Sequence, residues 1–122
     1  MSRFRFPKAV RILRRSDFRK VYDEGSRFSC PYFAAFCLKR AGPETEPAED
    51  GPKVGFTVTK SLGKAVVRNR MKRRLREAVR LNLAGLPPSW MIVLNGRKGL
   101  LDADFNAIER EVVRLFGRCA SS

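Results

Sequence analysis

A chain of 122 residues with 43% hydrophobic content suits one domain with one modest core, and is too apolar for a disordered segment. Its formal net charge of +14 points to a polyanionic partner, with nucleic acid ahead of an anionic membrane surface or an acidic protein. The absence of His excludes a Ser-His-Asp or Cys-His triad and removes the commonest zinc ligand. Cys30, Cys37 and Cys119 are odd in number and lack framework or metal spacing, so buried or incidental free thiols in a reducing compartment are expected. There is no apolar run of the roughly 18 residues a membrane helix needs. Met1 to Pro7 lacks the apolar centre of a secretory signal, and a cytoplasmic location is the expectation.

Residues 1–15 form a basic arm in which Arg3, Arg5, Lys8 and Arg11 alternate with Phe4, Phe6, Val10 and Ile12; it is either flexible or wrapped on the body. Ser16 reads as an N-cap and Asp17 as a first-turn acid, with Phe18, Val21 and Tyr22 as an apolar stripe and Gly25 as a stop. A first helix is therefore predicted over Asp17–Glu24. Arg27–Leu38, rich in aromatics, reads as one strand in which Pro31 favours an edge or a bulge. Residues 42–52 form a mobile loop holding four of the 12 acids, which leaves the rest of the chain more basic than its total.

Lys53–Thr59 alternates as a half-buried strand, expected to hairpin with its predecessor. A basic turn with Gly63 leads to a helix over Val66–Asn82. Trp90–Asn95 is apolar throughout and suits a central strand covered on both faces. Asp102 is the expected cap of a last helix with Phe105, Ile108, Val112, Leu115 and Phe116 on one face and Gly117 at its end. The order helix, strand, strand, helix, strand, helix makes a single α/β sandwich, a small sheet with helices packed on it.

The basic helix carries the strongest functional signal. Seven of the thirteen residues from Arg68 to Arg80 are Lys or Arg, and Glu77 alone opposes them. Val67, Met71, Leu75, Ala78 and Val79 fill an arc of roughly 120° on a helical wheel. Lys72, Arg76, Asn69, Arg80 and Arg73 lie opposite, while Arg68 and Arg74 flank the stripe. An ordinary solvated face mixes signs, because like charges at i,i+4 repel. A membrane-surface helix wants bulkier apolar residues than these. Arginine in excess of lysine favours forked contacts to phosphate, and structured RNA is read mostly by backbone and shape.

Other chemistries fit poorly. A free-standing metal nuclease needs clustered carboxylates, and the close pair Asp102 and Asp104 sits where a helix cap belongs. Gly63-Lys64 fails as a phosphate loop, because Val58 stands at the first glycine position and Ala65 where Ser or Thr is required. A binding module without catalytic association, such as a ribosomal protein or RNA chaperone, stays compatible with composition.

The stretch Phe56-Thr57-Val58-Thr59-Lys60-Ser61-Leu62-Gly63-Lys64-Ala65-Val66-Val67-Arg68-Asn69-Arg70-Met71-Lys72-Arg73 resembles the signature of the bacterial ribonuclease P protein subunit. Size, charge and element order extend the resemblance over nearly the whole chain. It implies a left-handed βαβ crossover, against the usual preference. It also implies a protein subunit of a ribonucleoprotein that removes the 5′ leader of precursor tRNA. The family's RNA partner holds the catalytic site and uses Mg²⁺, so no catalytic or metal-binding residue is expected on the protein, and neither a membrane nor a stable protein partner is implied. By the same resemblance, Lys60, Lys64, Arg68, Asn69, Arg70, Lys72 and Arg73, with Arg76 on the same face, meet the catalytic RNA. Phe18, Tyr22 and Phe36 line a cleft for the leader. Aromatic rings stack on unpaired bases with little sequence preference, which suits leaders of differing sequence. Core packing is the alternative for each ring, and Phe36 stands where the family often has a tyrosine.

Overall fold

The computed structural model describes residues 14–39 and 52–121, and its elements run α-β-β-β-α-β-α. They are α1 (Arg15–Glu24), β1 (Ser26–Ser29), β2 (Phe33–Lys39), β3 (Lys53–Thr57), α2 (Ala65–Leu81), β4 (Trp90–Gly96) and α3 (Phe105–Ala120). Short 3₁₀ turns lie at Lys60–Leu62, Leu83–Gly85 and Lys98–Leu100. The basic arm up to residue 13 and the acidic loop through residue 51 lie outside the described residues.

The four strands form one mixed sheet in the order β1-β2-β4-β3. β1 and β4 each pair antiparallel with β2, and β3 runs parallel to β4. β4 is interior, as its apolar run requires: Met91, Ile92, Val93 and Leu94 are all buried, alternately on opposite faces. This corrects the expected hairpin between β2 and β3. Side-by-side pairing of those two would push β4 to an edge, with one side of its backbone unpaired. The single strand expected over Arg27–Leu38 is two, because Pro31, which has no N–H for a ladder, sits in the turn between β1 and β2. The Cys30 N–H closes that turn on the Phe33 carbonyl at 3.0 Å.

Helix ends also depart from expectation. α1 begins before Ser16, with the Asp17 and Phe18 N–H groups bonded to the Arg14 carbonyl at 3.1 and 3.3 Å. At α3 the cap position is Asp104 rather than Asp102, since the Lys98–Leu100 turn takes up the preceding residues. Gly117 does not end α3. The helix continues to Ala120 because Cys119, one turn beyond Leu115 and Phe116, is buried with them.

The sheet register divides the core in two. Phe33, Ala35, Cys37, Val54, Ile92 and Leu94 face α2 and α3 and meet Met71, Leu75, Ile108, Val112 and Leu115. Full burial of a side chain such as Leu75 or Ile108 contributes about 1.5–3 kcal/mol. Met91 and Val93 face α1 and meet Val21, with Phe18, Phe36 and Leu38 packed around them. The second cluster is much the smaller, so α1 covers its face only in part. All three cysteines are buried free thiols. Cys37 and Cys119 share a hydrogen bond that raises the first thiol's pKa and lowers the second's, and burial raises that of Cys30.

Candidate nucleic-acid interface

The first surface is built by the turn and helix that follow β3. Gly63 has φ 143°, and a side chain there would press on Val67 at 3.1 Å, so a glycine is required. The turn leaves Lys60 and Lys64 exposed immediately before α2. Arg68 is half-buried, and its Nε donates to the Gly63 carbonyl at 3.1 Å, tying helix to turn. Met71, Leu75, Ala78 and Val79 hold α2 on the sheet. Asn69, Arg70 and Arg73 consequently stand exposed, with Lys72 and Arg76 half-buried beside them.

The arginines of α2 divide by what they touch. Arg74 reaches across to donate to the Ala103 carbonyl, and Arg80 pairs with Glu77 at 2.5 Å. The Arg76 guanidinium lies 5.6 Å from the centre of the Phe56 ring, a cation–π distance that fixes its direction. Among the described residues Arg70 and Arg73 make no ion pair or hydrogen bond. Lys60, Lys64, Arg70 and Arg73 thus form the open, uncompensated part of the cationic face.

The second surface lies on the opposite side of the sheet, where α1 crosses it. Tyr22 is exposed, Phe18 and Phe36 are half-buried, and the Tyr22 and Phe36 rings meet edge to face at 5.0 Å and 72°. The Arg27 guanidinium lies 5.7 Å from the Phe36 centre. The sequence-expected trio is therefore brought together between helix and sheet, with Phe18 and Phe36 also serving the packing around Val21.

Three residues of this cleft escaped the sequence reading: Arg27, Thr57 and Asn95. The Tyr22 hydroxyl donates to Asn95 Oδ1 at 2.8 Å, and the Thr57 hydroxyl donates to the same oxygen. The available signal was a polar residue ending an apolar strand, at the register position where Thr57 pairs with Asn95. These two residues stand at the C-terminal ends of β3 and β4, and from Thr57 the chain passes straight to the turn bearing Lys60 and Lys64. The aromatic cleft and the cationic face therefore adjoin at one end of the sheet.

Among the described residues no group of three or more His, Cys, Asp or Glu side chains is placed to hold a metal ion. No described helix is long and apolar enough to cross a membrane.

Comparison with known proteins identifies the architecture. The family model described as Ribonuclease P matches residues 6–120. The ribonuclease P protein component of Citrifermentans bemidjiense is 40% identical over 97% of this chain and 95% of its own length. That of Clostridioides difficile is 35% identical over 93% of this chain and 94% of its own. The RNase P protein from Thermotoga maritima superposes with a TM-score of 0.73 at 28% identity, covering 88% of this chain and 96% of that one. The Staphylococcus aureus RNase P protein has the same fold, with a TM-score of 0.72 over 88% of this chain and 95% of its own. A family match over residues 6–120, two relatives above 30% identity and a shared fold lead to one conclusion: this chain belongs to the ribonuclease P protein family, as the protein component of the endoribonuclease that processes tRNA 5′ ends.

Proposed function

We propose that the α2 face binds the ribonuclease P RNA and that the cleft between α1 and the sheet takes the extended 5′ leader of precursor tRNA. Lys60, Lys64, Arg68, Asn69, Arg70, Lys72, Arg73 and Arg76 are the RNA-facing set, and Phe18, Tyr22 and Phe36 the leader-facing set. The observation that carries the reading is the junction of the two surfaces at the ends of β3 and β4. A leader leaving the cleft there runs directly onto unpaired cations. Hydrolysis of the phosphodiester, with its Mg²⁺, belongs to the RNA. The protein contributes binding: it neutralises phosphates beside the RNA's metals and holds the leader in line with them. Residues 1–122 act as one cytoplasmic domain in this role, without a stable protein partner, and the β3–α2–β4 crossover is left-handed.

The test is differential. Phe18→Ala and Tyr22→Ala weaken binding of precursor tRNA to the reconstituted ribonucleoprotein by about 1–3 kcal/mol for each base that loses its stacking partner. Binding of mature tRNA, which has no leader, stays unchanged. Equal losses for both RNAs would assign these rings to packing alone.

A further inference from the structure

Asn95 is the polar end of a strand whose preceding residues, Trp90–Leu94, are all apolar and buried. It alternates with Met91 and Val93, so it stands on the face that α1 covers. Its side-chain oxygen accepts two hydrogen bonds, from the Tyr22 and Thr57 hydroxyls. An amide oxygen has two lone pairs, and both are used. In this arrangement the amide's remaining polar atom is Nδ2, which carries two N–H groups. Among the described residues Nδ2 has no partner and is not buried. Across the ladder from Asn95 is Ala34, whose small side chain leaves the floor of the cleft low at this point. The Tyr22–Phe36 ring pair stands beside it.

We infer that Asn95 reads one leader base as a donor only. Nδ2–H bonds the exocyclic oxygen at the pyrimidine 4 or purine 6 position, O4 of uracil or O6 of guanine, where cytosine and adenine carry an amino group instead. The inference rests on the reading that the leader occupies this cleft. Its chemistry comes from the network: with Oδ1 filled, the amide has nothing to offer an exocyclic amino group, and an N–H would meet an N–H. Cleft aromatics stack on any base, so a donor adds selectivity where stacking supplies none.

The experiment uses the protein reconstituted with a bacterial ribonuclease P RNA. Precursor tRNAs carry uracil-to-cytosine or guanine-to-adenine exchanges at each leader position in turn. With the native protein, one position loses about 2- to 10-fold in affinity on exchange, the range for a single neutral hydrogen bond. Asn95→Ala abolishes that difference. Asn95→Asp retains an acceptor for both hydroxyls but replaces the donor with a second acceptor, so the preference at that position reverses. The added charge weakens all leaders alike and leaves the reversal visible. An identical base preference in native and Asn95→Ala proteins, or a uniform loss with no preference at any position, overturns the inference. Where Phe18→Ala and Tyr22→Ala still weaken precursor binding selectively, that overturning leaves the leader cleft itself standing. Where they do not, the cleft reading falls first.

Discussion

Replacing Arg70 and Arg73 together with alanine removes two exposed guanidiniums from α2 and breaks no hydrogen bond or ion pair among the described residues. Alanine is the best helix former, and Arg70 and Arg73 are like charges one turn apart, so the fold loses nothing measurable by the change. If both arginines rest on phosphates, each bound phosphate contributes about 0.7–0.9 to the slope of log affinity against log salt, and the pair about 1.4–1.8. Over a fourfold rise in salt the native protein then loses about 7- to 12-fold more affinity than the variant. The assay is equilibrium binding of the ribonuclease P RNA at several salt concentrations, with melting temperature followed in parallel. Arg80→Ala is the control: Arg80 is paired with Glu77 at the far end of α2, and its loss leaves the slope unchanged. A double variant that folds normally and keeps the native slope would refute the placement of RNA on this face.

Two further predictions probe how the fold supports the sites. A methyl group on Gly25 would meet the Val21 carbonyl oxygen at 2.5 Å and the Cys37 carbonyl oxygen at 2.8 Å, both backbone atoms. Gly25→Ala therefore shifts α1 against β2, lowers the melting temperature and weakens precursor tRNA binding while sparing RNA-subunit binding; unaltered leader affinity would show that the cleft tolerates the shift. Burial raises the Cys30 pKa above its ordinary 9.0, so the unfolded chain loses that proton first as pH rises. Its stabilising contribution is full below pH 9.0 and is lost as pH climbs from there towards the folded-state value. Melting temperature should fall less steeply between pH 8 and 10 in Cys30→Ala than in the native protein, and parallel curves would contradict the assignment.

The parts of the structure legible in the sequence are those dictated by local periodicity. The stripe Met71, Leu75, Ala78 and Val79 sits at helical spacing, and it is buried as the spacing predicts. The run from Trp90 to Leu94 is apolar on both faces, and it takes an interior strand position. Strand partnership was not legible. Whether β3 pairs with β2 or β4 depends on which arrangement covers β4, a property of the whole sheet. The site shows the same division. Lys60, Lys64, Arg70 and Arg73 are conspicuous as a run of charge, whereas Arg74 looks alike in sequence and is spent on the Ala103 carbonyl. Asn95 and Thr57 matter only because two strands and α1 bring three side chains to one oxygen, which no spacing within a single strand reveals.

The most direct test of the subunit role is cleavage of precursor tRNA by a bacterial ribonuclease P RNA at low Mg²⁺, with and without this protein. The RNA must first be shown active alone at high Mg²⁺, and the protein shown folded. The protein is predicted to restore cleavage at the correct 5′ site under the low-Mg²⁺ condition, through charge neutralisation by the α2 face and capture of the leader. Cleavage as weak with the protein as without it would contradict the proposed part played by these two surfaces.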